Sequence, residues 1–501
     1  MEIKMLPGEY WWGGAVDWGK EMPLCGSSDF CADLSGGEKD QCSPVFLSSK
    51  GRYIVCEKPP KVEFKKGTIK IDEGCAPRLF ETGGGLKEAH LALSKKHFKN
   101  DGRIPDESFF EIPQYNTWIE LMYNQNQEDI LSYANEIVKN GMRPGILMID
   151  EGWSEDYGVY DFYPGRFQNP KEMLRKLHAL GFKVMLWVTP NISPDSNAFR
   201  YLRDTDYLVK DKDGKIAIRE WWNGYSCVLD LSNPQARKYL EEKLCALMRK
   251  YGIDGFKFDA GDTYMYCDCD KSFKPGGAVQ STKQYDLFAA DYKFNELRAV
   301  WDMGGEPIVC RLQDKKHSWN DTGLDCIIPN MIMQGLLGYY YGCPDMIGGG
   351  AYGSFLEKGF KLDEELYIRW LEASLLCPML QFSIAPWRVL KKENYDIVKK
   401  YIAFRERFTP YIIQLAKEAA LGKGPVLRPM AYEYPQGGYE ECKDMYMLGD
   451  RYIVMPIVKK GENECTANLP PGKWKGTDGK IYENSARLCQ KPGGLMILEK
   501  A

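Results

Sequence analysis

Residues 234–262 read PQARKYLEEKLCALMRKYGIDGFKFDAGD. The segment from Pro234 to Tyr251 reads as a helix that feeds the strand carrying Lys257 and Asp259. The next residues, Ile253 to Asp259, alternate with a period of two and read as a strand. On that strand Lys257 and Asp259 share one face, and Phe256 and Phe258 share the other. The tail Ala260-Gly261-Asp262 ends it in a loop. A carboxylate at the C-terminal end of a parallel strand, with an ammonium two residues behind, is a place for a nucleophile: the lysine favours the ionised form and can hold a hydroxyl. Taken alone, the same stretch also fits a surface Lys/Asp pair at a strand end.

The pattern extends on both sides. Tyr115-Asn116-Thr117-Trp118 precedes an amphipathic segment from Gln127 to Lys139, and Gly145 to Asp150 comes next as a strand. A helix around Lys171 to Leu180 leads to the strand Lys183 to Val188. A further helical stretch, Ala289 to Met303, leads to Pro307-Ile308-Val309-Cys310-Arg311. Strands that alternate with helices over about 270 residues call for parallel pairing, and an α/β fold of the (β/α)8 TIM-barrel type is the economical solution. Such a barrel places function at its strand C-termini. There the sequence puts Asp150-Glu151, Thr189-Pro190-Asn191, Asp259 and Arg311. Any one of these could serve as a helix cap or loop residue.

The flanks differ in texture. Residues 1–110 are rich in Gly, Ser, Lys and Thr with short alternating runs such as Arg52 to Cys56 and Thr68 to Ile71, which predicts an N-terminal β domain. The barrel is expected over 111–420. From 421 to 501, runs such as Met445 to Pro456 and the turn Leu469 to Trp474 predict a C-terminal β-sandwich.

Composition narrows the function classes. Lys plus Arg total 66 against 70 Asp plus Glu, a net charge of −4, so the chain lacks the basic footprint of a nucleic-acid binder. No run approaches about 18 uninterrupted apolar residues, so no membrane span is expected. The opening MEIKMLPGEYWWGGAV lacks the apolar core of a signal peptide, which with the cysteine pattern gives a cytoplasmic expectation. The sixteen cysteines include no C-x-x-C pair. Cys25, Cys31, Cys42, Cys56 and Cys75 crowd the N-terminal region, where a disulfide or metal framework is the alternative to reduced thiols. Cys267-Asp268-Cys269 has a spacing unlike the usual chelates, with no histidine nearby.

Several motifs, in order, resemble glycoside hydrolase family 31, the retaining α-glycosidases, from about Pro113 to Trp474. They are the apolar-Asp-Gly run ending in Asp259, Ser318-Trp319-Asn320-Asp321, Asp345-Met346-Ile347-Gly348-Gly349, Tyr367-Ile368-Arg369-Trp370 and Leu448-Gly449-Asp450. Within the family, Lys257 to Gly261, Trp221-Trp222-Asn223-Gly224 and Pro344 to Gly349 look like the branch that holds the myogenesis-regulating glycosidase and α-galactosidases. The α-glucosidases of the family place a histidine where this chain reads Leu380-Gln381-Phe382-Ser383-Ile384-Ala385-Pro386-Trp387.

The resemblance implies a retaining, exo-acting α-glycosidase that cleaves a terminal sugar, an α-galactoside before an α-glucoside or α-N-acetylgalactosaminide. Asp259 would be the nucleophile and Asp321 the acid/base, with Asp314 and Asp325 as lesser acid candidates. Two carboxyl groups about 5 Å apart suffice for this chemistry, so neither a metal nor a cofactor is required. Asp150, Arg311 and Asp345 would grip sugar hydroxyls, with Lys257, Trp187, Trp222 and Trp319 also on the substrate. The expected partner is an oligosaccharide or glycoside. Two other readings stay open: a silent glycan binder on the same fold, and an α-galactosidase barrel of another family with a Lys-x-Asp strand.

Overall fold

The computed structural model describes residues 1–35 and 40–501. Its centre is a parallel sheet of eight strands: β1 Gln114–Asn116, β2 Ile146–Ile149, β3 Lys183–Val188, β4 Gly255–Phe258, β5 Asn295–Leu297, β6 Val309–Arg311, β7 Tyr341–Cys343 and β8 Gln381–Phe382. Each of β1 to β6 pairs in parallel with the next, and β8 returns to pair with β1 through Gln381 and Gln114. The last gap is narrowed by a parallel bridge from Met346, just past β7, to Gln381, and Ile347 N donates to the Gln381 carbonyl at 2.8 Å. The nearly closed ring is the expected (β/α)8 barrel.

The deciding stretch folds as read, for local reasons. Asn233 caps the helix Pro234–Tyr251 by accepting from Gln235 N, and Gly252 ends it at φ 80°, a left-handed conformation that suits glycine. Ala236, Leu240, Leu244 and Leu247 fall on one buried face. Each leucine buried there contributes about 1.5–3 kcal/mol of hydrophobic stabilisation. All four residues of β4 are buried, as a strand covered on both faces must be.

One barrel segment departs from expectation. The stretch Ala289–Met303 is not a helix; the helix is Gly277–Ala289, followed by β5 and the short strand Val300–Trp301. Strand β5 spans three residues and its Asn295 and Glu296 are buried polar groups, so it carries no apolar alternation to read. Those groups belong to a network inside the barrel. Gln381 Nε2 donates to Gln114 Oε1 at 2.9 Å and to Glu296 Oε2 at 2.8 Å.

The N-terminal region has two antiparallel sheets. One orders Glu2–Lys4, Thr68–Ile71, Lys61–Lys65 and Asp29–Asp33; the other contains Gln41–Ser48, Arg52–Val55 and Arg78–Glu81. Its strands stop at Glu81, and Leu86–His97 is a helix whose buried Leu86, Ala89, His90, Leu93 and Ser94 follow the 3.6-residue period. Val300–Trp301 of the barrel segment joins the second sheet in parallel with Gln41 and Cys42. The C-terminal region is β-rich, with a six-stranded sheet and a two-stranded ribbon, Glu464–Asn468 with Ser485–Cys489. No helix among the described residues is long and apolar enough to cross a membrane.

Arg369, in the helix Glu364–Ser374, fastens the barrel to the C-terminal region. Its Nη2 donates to the carbonyls of Glu462 and Gln490, both at 2.7 Å, and its Nη1 pairs with Glu372 at 2.9 Å. Glu372 also accepts from Tyr401 and Gly493 N. Both charged side chains are fully buried. Arg369→Met should therefore lower unfolding free energy by about 3–5 kcal/mol, because it strands a buried carboxylate. Urea denaturation checks this, and a loss under about 1 kcal/mol would mean that the pair does not hold the two regions together.

Candidate active site

Asp259 is the first residue past β4, and its N–H continues the ladder to the Val188 carbonyl at 2.9 Å. The chain then turns through Ala260 at φ 59°, a left-handed conformation that costs an L-residue roughly 1–2 kcal/mol. That turn aims the Ala260 N–H at Asp259 Oδ1, 2.8 Å away. Arg298 Nε donates to the same oxygen at 2.9 Å, and Trp187 Nε1 donates to Oδ2 at 2.9 Å. Lys257 Nζ stands 3.8 Å from Oδ2 and 2.7 Å from Asp150 Oδ2. Burial by itself would raise the Asp259 pKa. The charges of Arg298, Lys257 and Arg311 outweigh it and hold the carboxyl well below the usual range, so it stays ionised.

These groups open on a cavity of about 560 Å³ at the barrel mouth. Asp150, Trp187, Trp222, Lys257 and Asp259 line it, and with them Asp40, Glu151, Asp262, Tyr264, Arg298 and Asp314. Trp118, Tyr123 and Tyr352 form an aromatic cluster on its wall, with ring centroids 5.1–6.0 Å apart. The Arg298 guanidinium lies against the Trp222 ring, 5.3 Å from its centroid. It also donates twice to Asp262, at 2.9 and 2.7 Å, and to Asp40 from the N-terminal region. Glu151 is lifted by burial to about 8, while the Tyr157 hydroxyl donates to it at 2.6 Å. Near neutral pH it is mainly a carboxylic acid and offers the cavity a proton donor.

The remaining residues expected on the substrate sit elsewhere. Arg311 and Asp345 are fully buried behind the wall and do not line the cavity. Arg311 Nη1 donates to the Leu312 carbonyl at 3.0 Å, to Asp314 at 2.7 Å and to Asp345 at 2.8 Å. Asp345, at φ 72°, also accepts from Lys315 N and Gly350 N. Arg311 and Asp345 thereby brace the loop that carries Asp314. A Cβ at residue 350 would lie 2.6 Å from Asp345 Oδ1 and 3.0 Å from Asp314 Oδ1, so this approach requires glycine.

Trp319 and Asp321 also lie off the cavity. Trp319 Nε1 donates to Asp363 at 3.0 Å. Residues 316–324 close on themselves, with Lys316 N bonded to the Thr322 carbonyl and Leu324 N to the Ser318 carbonyl. That turn carries Asp321, which is exposed, into a neighbouring depression. Asp314, the lesser candidate in the sequence, is the one that lines the cavity with Asp259. Ser383, in the segment that lacks the histidine, is buried and accepts from Ile119 N at 2.7 Å. Sequence reasoning missed Arg298 and Asp40, which carry no strand-end signature, and left Glu151 without a role.

Cys25, Cys31, Cys56 and Cys75 form no disulfide. The discounted Cys267-Asp268-Cys269 run does bring Cys267 Sγ, Cys269 Sγ and an Asp270 oxygen within 4.8 Å of one another. Both Asp270 oxygens are already bonded to Arg219.

The model of the glycosyl hydrolases family 31 TIM-barrel domain matches residues 113–307 and 311–415, and that of the family's C-terminal domain matches 423–492. The chain belongs to glycosyl hydrolase family 31. It is 29% identical over 415 residues to the myogenesis-regulating glycosidase of Mus musculus, covering 81% of this chain and 58% of that protein. It is 24% identical over 479 residues to the alpha-xylosidase XylQ of Lactiplantibacillus pentosus, covering 88% and 59%. The chain thus spans about three-fifths of the length of these curated relatives. A Flavobacterium johnsoniae GH31 dextranase complexed with isomaltotriose shares the fold, with a TM-score of 0.87 at 18% identity over 100% of this chain and 66% of that one.

Removing the Arg298 charge should raise the Asp259 pKa, because the ionised carboxylate loses its nearest cation. In Arg298→Gln the Asp259 carboxyl, followed by carbon NMR, should titrate on the order of one pH unit or more higher than in the wild type. An unmoved titration would show that Arg298 does not set the ionisation of Asp259.

Proposed function

We propose that the protein is a retaining, exo-acting α-glycosidase that uses Asp259 as nucleophile and Asp314 as acid/base. The observation that carries this reading is the cavity itself. At its floor lies a buried carboxylate held ionised by Arg298, Lys257 and Trp187, and on its rim lies a second, half-buried carboxyl, Asp314. Asp259 would attack the anomeric carbon from the β face while Asp314 gives its proton to the departing glycosidic oxygen. Asp314 would then take a proton from water as the water opens the glycosyl ester from the α face. The Arg311 charge beside Asp314 is shared with Asp345 and with Glu296, 3.4 Å away, so it does not act on Asp314 alone. Asp314 replaces Asp321 in this role because Asp321 does not line the cavity of Asp259.

Asp259→Asn should leave the fold intact and abolish turnover, since the amide keeps the shape but is a very poor nucleophile. Asp314→Ala should slow poor leaving groups far more than activated aryl glycosides, which need little protonation. Added azide should restore turnover of the activated substrate and give the α-glycosyl azide, the anomer that two inversions produce. Asp321→Ala should show no azide rescue. Rescue in Asp321→Ala and none in Asp314→Ala would return the acid/base role to Asp321.

For the sugar itself, a terminal α-galactoside is the reading we favour, from the resemblance to the α-galactosidase branch and from the paired Asp150 and Lys257 at the cavity floor. Together they offer an acceptor and a donor to neighbouring hydroxyls. A pocket matched to an axial 4-hydroxyl leaves a buried group unpaired against its epimer, at a cost of about 1–3 kcal/mol. The α-galactoside should therefore exceed the matched α-glucoside and α-xyloside by roughly tenfold to a hundredfold in kcat/KM. A ratio near one, or a preference for glucoside or xyloside, would overturn the galactoside reading and leave the two-aspartate mechanism standing.

A further inference from the structure

The loop that follows β4 holds two thiols for which the glycosidase chemistry has no use. It runs from Asp262 through the turn Thr263–Met265 to the helix Gly277–Ala289, and Cys267, Cys269 and Asp270 lie along it. We infer that these three residues bind a thiophilic divalent cation of the zinc class, which fastens this loop to the hairpin of Arg219–Trp221 and Gly224–Val228 at the rim of the cavity.

The local structure gathers the ligands. Asp270 N donates to the Cys267 carbonyl at 2.9 Å, closing a turn, and Cys267 N donates back to Asp270 Oδ2 at 2.9 Å. Between the two cysteines, the Asp268 side chain is committed elsewhere: its Oδ1 accepts from Ala278 N at 3.0 Å, at the start of the helix. Gly277, at φ 75°, leaves the room, since a Cβ there would lie 2.4 Å from the same oxygen. The two sulfurs and an Asp270 oxygen remain within 4.8 Å of one another. A zinc ion, about 2.3 Å from sulfur and about 2.0 Å from oxygen, sets its tetrahedral ligands about 3.5–3.8 Å apart, so side-chain rotation closes the site. Cys269 N also donates to Cys267 Sγ at 3.3 Å, a bond that favours the thiolate a metal needs.

The chemistry of the set selects the ion. Sulfur ligands favour zinc over magnesium or calcium, and three protein ligands leave a fourth position for water. Asp270 is held in place for this: its side chain is 2% exposed, and Arg219 binds both of its oxygens. Oδ1 accepts from Arg219 alone among the described residues, so a lone pair stays open to a cation. A ligating carboxylate is ordinarily hydrogen-bonded on its far side in this way. Arg219 also donates to the Met265 carbonyl at 3.0 Å, and its hairpin carries Trp222 to the cavity that Tyr264 of the loop also lines. A cation on Asp270 thus ties the two rim segments together through Arg219.

Zinc alone is the probe, on the full chain, reduced and freed of metal. One zinc should bind per chain and raise the Tm, as a ligand specific for the folded state does. Cys267→Ser and Cys269→Ser should each weaken binding at least tenfold, while Cys31→Ser and Cys489→Ser, at exposed cysteines elsewhere, should bind as the wild type does. In the wild type, saturating zinc should slow alkylation of Cys267 and Cys269 by iodoacetamide about tenfold and leave Cys31 and Cys489 reactive, a readout that needs no variant to fold. No binding at one zinc per chain, no shielding of these two thiols, or equal binding by both serine variants would each overturn the inference.

Discussion

The guanidinium of Arg298 is the charge on which the site depends. Six carboxyl groups, Asp40, Asp150, Glu151, Asp259, Asp262 and Asp314, line one cavity with only Lys257 and Arg298 as cations among the lining residues. Burying like charges together is unfavourable unless each is paired or protonated. Arg298 binds three of the six, Lys257 holds Asp150 and approaches Asp259, and Arg311 binds Asp314 from behind. Glu151 meets the same constraint by keeping its proton. The arrangement leaves one strongly ionised carboxylate at the floor of a site otherwise prevented from accumulating negative charge, which is what a nucleophile requires.

That constraint also explains why the N-terminal region belongs to the site. Asp40 supplies one of the three carboxyl groups on Arg298, and the next residue, Gln41, donates to the carbonyls of Arg298 and Arg311 at 3.0 and 2.6 Å. Gln334 donates in turn to Gln41 at 2.7 Å. A single strand, Gln41–Ser48, thereby ties the backbones of Arg298 and Arg311 to the outer sheet. The pairing of Val300–Trp301 with that strand fixes the same junction through main-chain bonds.

Behind Asp314 the logic is one of close approach. The turn after β7 holds Asp345 at positive φ, and Gly350 leaves room for both carboxylates beside Arg311. The Asp-Met-Ile-Gly-Gly motif thus lies behind the cavity wall and braces the loop of Asp314. Arg369 works in the same way: the Arg-Trp helix motif fastens the C-terminal region to the barrel and lies away from the cavity.

The sequence by itself determined the barrel, because helices and strands announce themselves through local periodicity and caps: Pro234–Tyr251 and β4 come from Asn233, Gly252 and the spacing of Leu240, Leu244 and Leu247. It also placed Lys257, Asp259 and Asp150 at one mouth, since a strand end in a barrel has only one place to go. Strand β5 was illegible because three residues with buried polar side chains among them carry no apolar rhythm. Only the tertiary structure shows that Asp314, and not Asp321 seven residues further along the same loop, lines the cavity with Asp259, because that depends on which way a self-bonded turn faces. It alone brought Asp40 to Arg298, more than 250 residues away in the chain, since that contact is made by packing between sheets and leaves no trace in local sequence.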